Sequence, residues 1–172
     1  MEKIRFTLPR FDWHTLKYHT QDSVTVEHQH PTYAEQNLQY QQWGYNTHNT
    51  EYGQTFDVPS VVSEWCNQQF DRYTCSVIRQ APGSTLPQHT DTFYTLAKQF
   101  GVESKLCVRI LIFLEPWQSG HYFEINQQPL VDWQAGDGIL IPYGVPHLSG
   151  NMGSLPKYTM QLTGVKNEFK RR

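Results

Sequence analysis

Gly136-Asp137-Gly138-Ile139-Leu140-Ile141-Pro142-Tyr143-Gly144-Val145-Pro146-His147-Leu148-Ser149-Gly150-Asn151 is the stretch on which the fold turns. The apolar run Gly138 to Ile141 reads as a short buried strand, and Pro142-Tyr143-Gly144 as a tight turn. His147 then enters the next strand. A strand, a Pro/Gly turn and a histidine at the head of the returning strand fix an imidazole at the mouth of a barrel.

A second segment, Pro82-Gly83-Ser84-Thr85-Leu86-Pro87-Gln88-His89-Thr90-Asp91, follows a strand with a Pro-Gly turn and then places His89 and Asp91 two positions apart. Residues i and i+2 of an extended chain project to the same side, so the imidazole and the carboxylate form two adjacent ligand vertices. With His147 as the third, they make the two-histidine, one-carboxylate triad that leaves positions open on non-haem Fe(II). A His-x-Asp tripeptide alone is common; its meaning comes from the frame around His147.

Outward from these segments the chain has the texture of short strands separated by turn residues: Tyr73 to Gln80, Lys105 to Leu114, His121 to Ile125, Gly138 to Ile141, His147 to Ser149 and Lys157 to Thr163. This spacing predicts an all-β sandwich or barrel. Between Thr92 and Phe100 the apolar residues fall at helical spacing, which leaves a short helix or an ordered loop open. The first 72 residues are polar, with an alternating stretch at Ser23 to Glu27, a turn-prone region from Gln42 to Gly53, and a helix predicted from Val58 to Phe70, where Pro59 suits a first turn. The expected organisation is one domain: residues 1–72 as a helical and irregular supporting layer, 73–164 as a β core, and 165–172 as a basic, solvated tail.

Composition narrows the class. Charged residues make up only 17% and aromatics 14%, which excludes a disordered chain or a coiled coil, and a net charge of -2 gives no general attraction to nucleic acid. Three cysteines, Cys66, Cys75 and Cys107, lack metal-ligand spacing and are odd in number, so a reducing cytoplasm is the expectation. The longest apolar run, Ile110 to Leu114, is far short of a membrane span.

The stretch from Gly136 resembles the second motif of the cupins, with Gly136, Pro142, Gly144, His147 and Asn151 in place, and the spacing from Gly83 to His89 fits the first. Asp91 stands where many cupins have a second histidine, and no glutamate follows at the expected distance. Cupins share the double-stranded β-helix with the Fe(II)/2-oxoglutarate oxygenases, whose ligands are His-x-Asp and a distal His. The segments Tyr73 to Asp91, Arg109 to Trp117 and Gly120 to Ile125 resemble prolyl 4-hydroxylase-like and aspartyl/asparaginyl β-hydroxylase-like members, including short phage-encoded ones. The resemblance implies a mainly β, jelly-roll fold and a dioxygenase that uses Fe(II), 2-oxoglutarate and O2, releases succinate and CO2, and hydroxylates a protein side chain or a small molecule. It further implies that Lys157 and Thr159, a basic-x-Ser/Thr element ten residues after His147, hold the cosubstrate's distal carboxylate. The alternative reading is a cupin-type metal-binding protein without that chemistry.

Arg109 interrupts an apolar strand and needs an anion, either a bound carboxylate or a salt bridge with Glu103 or Asp91. Arg79 is expected at the surface and Tyr73 as an ordinary strand tyrosine. His28 and His30 share the i, i+2 form but lack a barrel turn, so structural or exposed roles are expected. His121 and Trp117 are expected to pack in the core or rim. The sequence names no substrate and no oligomeric state.

Overall fold

The computed structural model describes residues 3–24 and 31–170. In chain order its elements are β1 (Lys3–Arg5), β2 (His19–Asp22), α1 (Pro31–Gln42), α2 (Thr47–Thr50), β3 (Glu51–Thr55), α3 (Ser60–Asn67), β4 (Tyr73–Gln80), β5 (Thr85–Thr90), α4 (Tyr94–Phe100), β6 (Cys107–Phe113), β7 (His121–Ile125), β8 (Gln128–Leu130), β9 (Asp137–Pro142), β10 (Pro146–Asn151) and β11 (Lys157–Val165). Two antiparallel sheets hold the strands in the orders β1-β9-β6-β11-β4-β3-β2 and β5-β10-β7-β8. From β4 onward successive strands alternate between the sheets, except that β7 and β8 form a hairpin within the small one. That winding is the double-stranded β-helix.

Alternation along the central strands divides the core in two. On β11 the side chains of Tyr158, Met160 and Leu162 join Val62, Cys66 and Phe70 in a cluster beneath α3, outside the large sheet. On β6 the opposite face, Leu111 and Phe113, packs with Phe123, Trp133, Ile139 and Ile141 between the sheets. Phe113 stacks on Trp133 with ring centroids 4.0 Å apart. The outer cluster explains the predicted helix at Val58 to Phe70, since Val62 and Cys66 are the positions that α3 buries.

The first 72 residues are more than a supporting layer, because β1, β2 and β3 extend the large sheet at both edges. The strand near the alternating stretch is His19–Asp22, just before it; residues 25–30, which hold the rest of that stretch and His28 and His30, lie outside the described residues. The region from Gln42 to Gly53 contains α2, closed by a capping box from Asn46 and Asn49, and the start of β3. The segment Thr92 to Phe100 resolves as a helix, α4. In the tail Phe169 stacks on Phe70 at 5.1 Å and Lys170 pairs with Asp71, while Lys166, Asn167 and Lys170 stay exposed. An aromatic partner at Phe70 is what a reading of the charges alone overlooks.

Candidate metal centre

β5 and β10 run antiparallel with His89 directly opposite His147. The Asp91 side chain follows one residue past the end of β5, and one ligand atom from each of the three residues lies within 4.8 Å of the others. The turn that delivers His147 needs its glycine: Gly144 has φ 72°, which an L side chain adopts only under strain. Gly136, at φ 88°, allows the backbone to pass Phe6, whose carbonyl oxygen would lie 2.4 Å from an added Cβ. Asn151 closes the same motif from within, donating to the carbonyls of Gln80 and Leu155 at 2.9 Å each.

Both imidazoles are set in the tautomer that a metal requires. His89 Nδ1 is 2.7 Å from the carbonyl of Pro87, and His147 Nδ1 is 3.0 Å from that of Val145. A carbonyl only accepts, so each Nδ1 carries its proton and donates, leaving the Nε2 lone pair as the ligand atom. Burial, with the neighbouring His89 second, pushes His147 down to about 4 and keeps it neutral.

Asp91 is buried, which pushes its carboxyl up, but Arg109 and then His147 and His89 hold it below the ordinary carboxylate range. Its two oxygens differ. Oδ1 accepts from Arg109 Nη1 at 2.9 Å; Oδ2 is buried, has no hydrogen-bond partner among the described residues, and lies 3.7 Å from His147 Nε2. A buried carboxylate oxygen without a donor costs about 1–3 kcal/mol or more unless something positive meets it. Two neutral imidazole nitrogens and this oxygen form a donor set that fits a divalent cation, with Arg109 as the outer partner that orients the carboxylate.

The triad opens on a cavity of about 280 Å³, whose wall includes Arg109, Thr159, Ser149 and Gln80. Arg109 points inward, and of its two possible protein partners it is Asp91 that it meets; Glu103 pairs with Lys105 at 2.7 Å. Lys157 and Thr159 share the inner face of β11, but only Thr159 reaches the cavity wall. The Lys157 ammonium is fully enclosed and donates to Ser149 Oγ at 2.6 Å, Tyr122 O at 2.7 Å and Gly150 O at 2.9 Å. Burial lowers it to about 7. Ser149, two residues beyond His147 and so on its side of β10, is the residue that reading the sequence overlooked; its hydroxyl places Lys157's charge one hydrogen bond behind the cavity.

The remaining candidates lie apart from the triad. Tyr73 donates to Ser63 O at 2.9 Å and ties β4 to α3, while Arg79 sits exposed over the Tyr18 ring at 5.3 Å. His121 is buried, bonded to Leu155 O at 3.0 Å and parallel to Trp133, and Trp117 donates to His121 O at 2.8 Å, so both pack as expected.

A double-stranded β-helix with a candidate His-Asp-His metal site facing its interior is the class that the strand order and the site define. No family model matches the sequence, and no curated protein is significantly similar to it. Among solved structures, the chain is similar to a predicted oxalate decarboxylase from Thermotoga maritima (16% identity, TM-score 0.44, covering 67% of this chain and 81% of that one). It is also similar to KdgF from Halomonas sp. (10%, 0.42, 70% and 80%) and to a cupin protein from Bacteroides fragilis (14%, 0.42, 58% and 71%). The likeness is one of backbone course, and the fold stands on the strand order itself.

Proposed function

We propose that this protein is an Fe(II)- and 2-oxoglutarate-dependent dioxygenase that hydroxylates a peptide, protein side chain or small molecule. The observation that carries the reading is the convergence of two lone-pair Nε2 atoms and the donorless Oδ2 of Asp91 beside a cavity walled by the hydroxyls of Ser149 and Thr159. Bound there, iron supplies the redox chemistry and the oxygen binding that no side chain provides. The overall reaction balances without another reductant: 2-oxoglutarate is oxidised to succinate and CO2, one atom of O2 enters succinate, and the other turns a substrate C–H into C–OH.

The chain's own residues bind and orient. His89, Asp91 and His147 would hold the ion, each through one ligand atom, beside the cavity. Thr159 supplies a hydroxyl for the cosubstrate's distal carboxylate; Ser149, whose own hydroxyl donates to Gln80 Oε1 at 2.9 Å, links that wall to Lys157, which supplies the positive charge behind it. Leu111 and Phe123 exclude water from the inner wall. Three free, buried cysteines suit a reducing cytoplasm, that of a host if the chain is phage-encoded, and no helix of the described residues is long and apolar enough to cross a membrane. Neither a membrane nor a nucleic acid is a partner in this reading.

One observation favours a second reading, a metal-binding cupin without 2-oxoglutarate chemistry: all three donors of Lys157 already have acceptors. An anaerobic titration separates the two. Fe(II) followed by 2-oxoglutarate should develop a weak visible charge-transfer band, and Lys157→Met should weaken that second step about tenfold or more while iron still binds. Iron binding without any band on adding 2-oxoglutarate leaves the second reading.

A further inference from the structure

The cavity beside the triad has two unlike walls. Leu86, Leu111, Phe123 and Ile141 line it from the barrel, and Phe123 lies against His147 with ring centroids 6.3 Å apart. Facing them, the added strands and β11 contribute Gln21 from β2, Tyr52 and Gln54 from β3, and Gln161. The side chains of Gln21, Tyr52 and Gln161 make no hydrogen bond among the described residues, and Gln54 makes one, from Nε2 to Ser76 Oγ at 3.1 Å. Polar groups with unused donors and acceptors therefore point into a space that an apolar wall closes from the other side.

The formal charges on the cavity wall are matched before a substrate arrives. Among the described lining residues only Asp91 and Arg109 carry full charges, and they pair with each other. Against the two carboxylates of 2-oxoglutarate, a divalent ion and Lys157 leave one positive charge, which stays behind the wall on Lys157, its donors taken by Ser149, Tyr122 and Gly150. A carboxylate or ammonium entering as substrate would meet no free counter-charge on the wall itself, and burying an unpaired charge is costly. Amides, by contrast, both donate and accept.

We propose that the substrate of this site is an uncharged ligand on an aliphatic stem, whose head both donates and accepts hydrogen bonds as a carboxamide does; this rests on the oxygenase reading above. The stem lies along Leu111 and Phe123, and the head is read by Gln21, Gln54, Gln161 and the Tyr52 hydroxyl. Shared with 2-oxoglutarate, a cavity of about 280 Å³ leaves room for one side chain or a small molecule rather than an extended chain. The selecting wall is built largely by strands outside the β-helix, so β2 and β3 are specificity elements as well as sheet extensions.

The test uses the full-length chain and three matched probes, the N-acetyl amides of glutamine, glutamate and lysine, with binding followed by ligand-observed NMR and turnover by succinate release. The glutamine probe should bind about tenfold or more tightly than either charged one. Gln161→Lys should reverse the order in favour of glutamate, and Gln21→Lys, on an edge strand, does the same job if the first variant fails to fold. Equal binding of the three probes, or lysine variants that weaken all three alike, overturns the proposal. Succinate release without a preference sinks the substrate assignment alone. A preference without succinate, with or without a probe, sinks the oxygenase reading and leaves the neutral subsite standing. Peptides carrying the same central glutamine show whether the ligand is a protein side chain, in which case they bind, or a free molecule, in which case they do not; both support the subsite.

Discussion

Asp91 is held between Arg109 on one oxygen and the space shared with His89 and His147 on the other, so its position depends on a partner from the opposite sheet. Replacing Arg109 with leucine leaves the carboxylate free to turn, and the expected result is a 10–100-fold loss of metal affinity, as for other residues that orient a ligand. Competition against a chromophoric chelator measures it, and unchanged affinity would mean that Arg109 has no part in the centre. Lys157 gives a pH prediction. An unfolded lysine keeps its proton to about pH 10.4, whereas burial lowers this one to about 7. Between those values the unfolded chain binds the extra proton, so stability rises with pH; below 7 the penalty is fully present. The unfolding free energy of the wild type relative to Lys157→Met should therefore climb from about pH 7 to pH 10, and a flat difference rules the effect out. The three candidate ligands were legible in the sequence because i, i+2 spacing and a Pro/Gly turn are local features. Ser149's link to Lys157 was not, because it depends on how β10 and β11 face each other across the barrel.

At the scale of elements, the same contrast separates strands that the sequence shows from those it hides. β4, β6, β9 and β11 carry branched apolar residues on buried faces, and their positions follow from the pattern. β5 is an edge strand of the small sheet, which is why it tolerates Pro87 and shows no apolar alternation. β3 presents Tyr52 and Gln54 to a cavity instead of a core, so no apolar alternation marks it. Helix α1 is hidden for a related reason: its inward face, Gln36, Asn37 and Tyr40, lines that cavity, and its anchor is polar. Tyr40 donates to the carbonyl of Gln88 at 2.6 Å, next to His89, and accepts from Gln36 Nε2 at 2.7 Å. Tyr40→Phe removes the donor and should cost about 0.5–1.5 kcal/mol of local stability. In hydrogen exchange, the α1 amides should exchange up to about tenfold faster while β6 and β11 keep their protection. A uniform change along the chain would show that α1 is not separately latched.

For the whole molecule, a metal centre of this kind is also a link between two layers: His89, Asp91 and His147 belong to the side of the small sheet, and Arg109, which holds Asp91, to the large one. The folded chain presents the three ligands together, whereas in the unfolded chain His89 and His147 are separated by 57 intervening residues. An ion that binds only the folded state stabilises it by RT ln(1 + [L]/Kd), about 2.7 kcal/mol at a hundredfold excess over Kd. In a chain of this size that corresponds to a rise in Tm of roughly 5–10 °C. Anaerobic Fe(II) should produce such a rise, and a chelator should reverse it. His147→Ala, which removes the ligand opposite His89 and leaves the exposed surface charges in place, should abolish the shift. A rise that survives in His147→Ala would place the ion elsewhere on the protein, and with it would go both the oxygenase reading and the metal-binding alternative for this cavity.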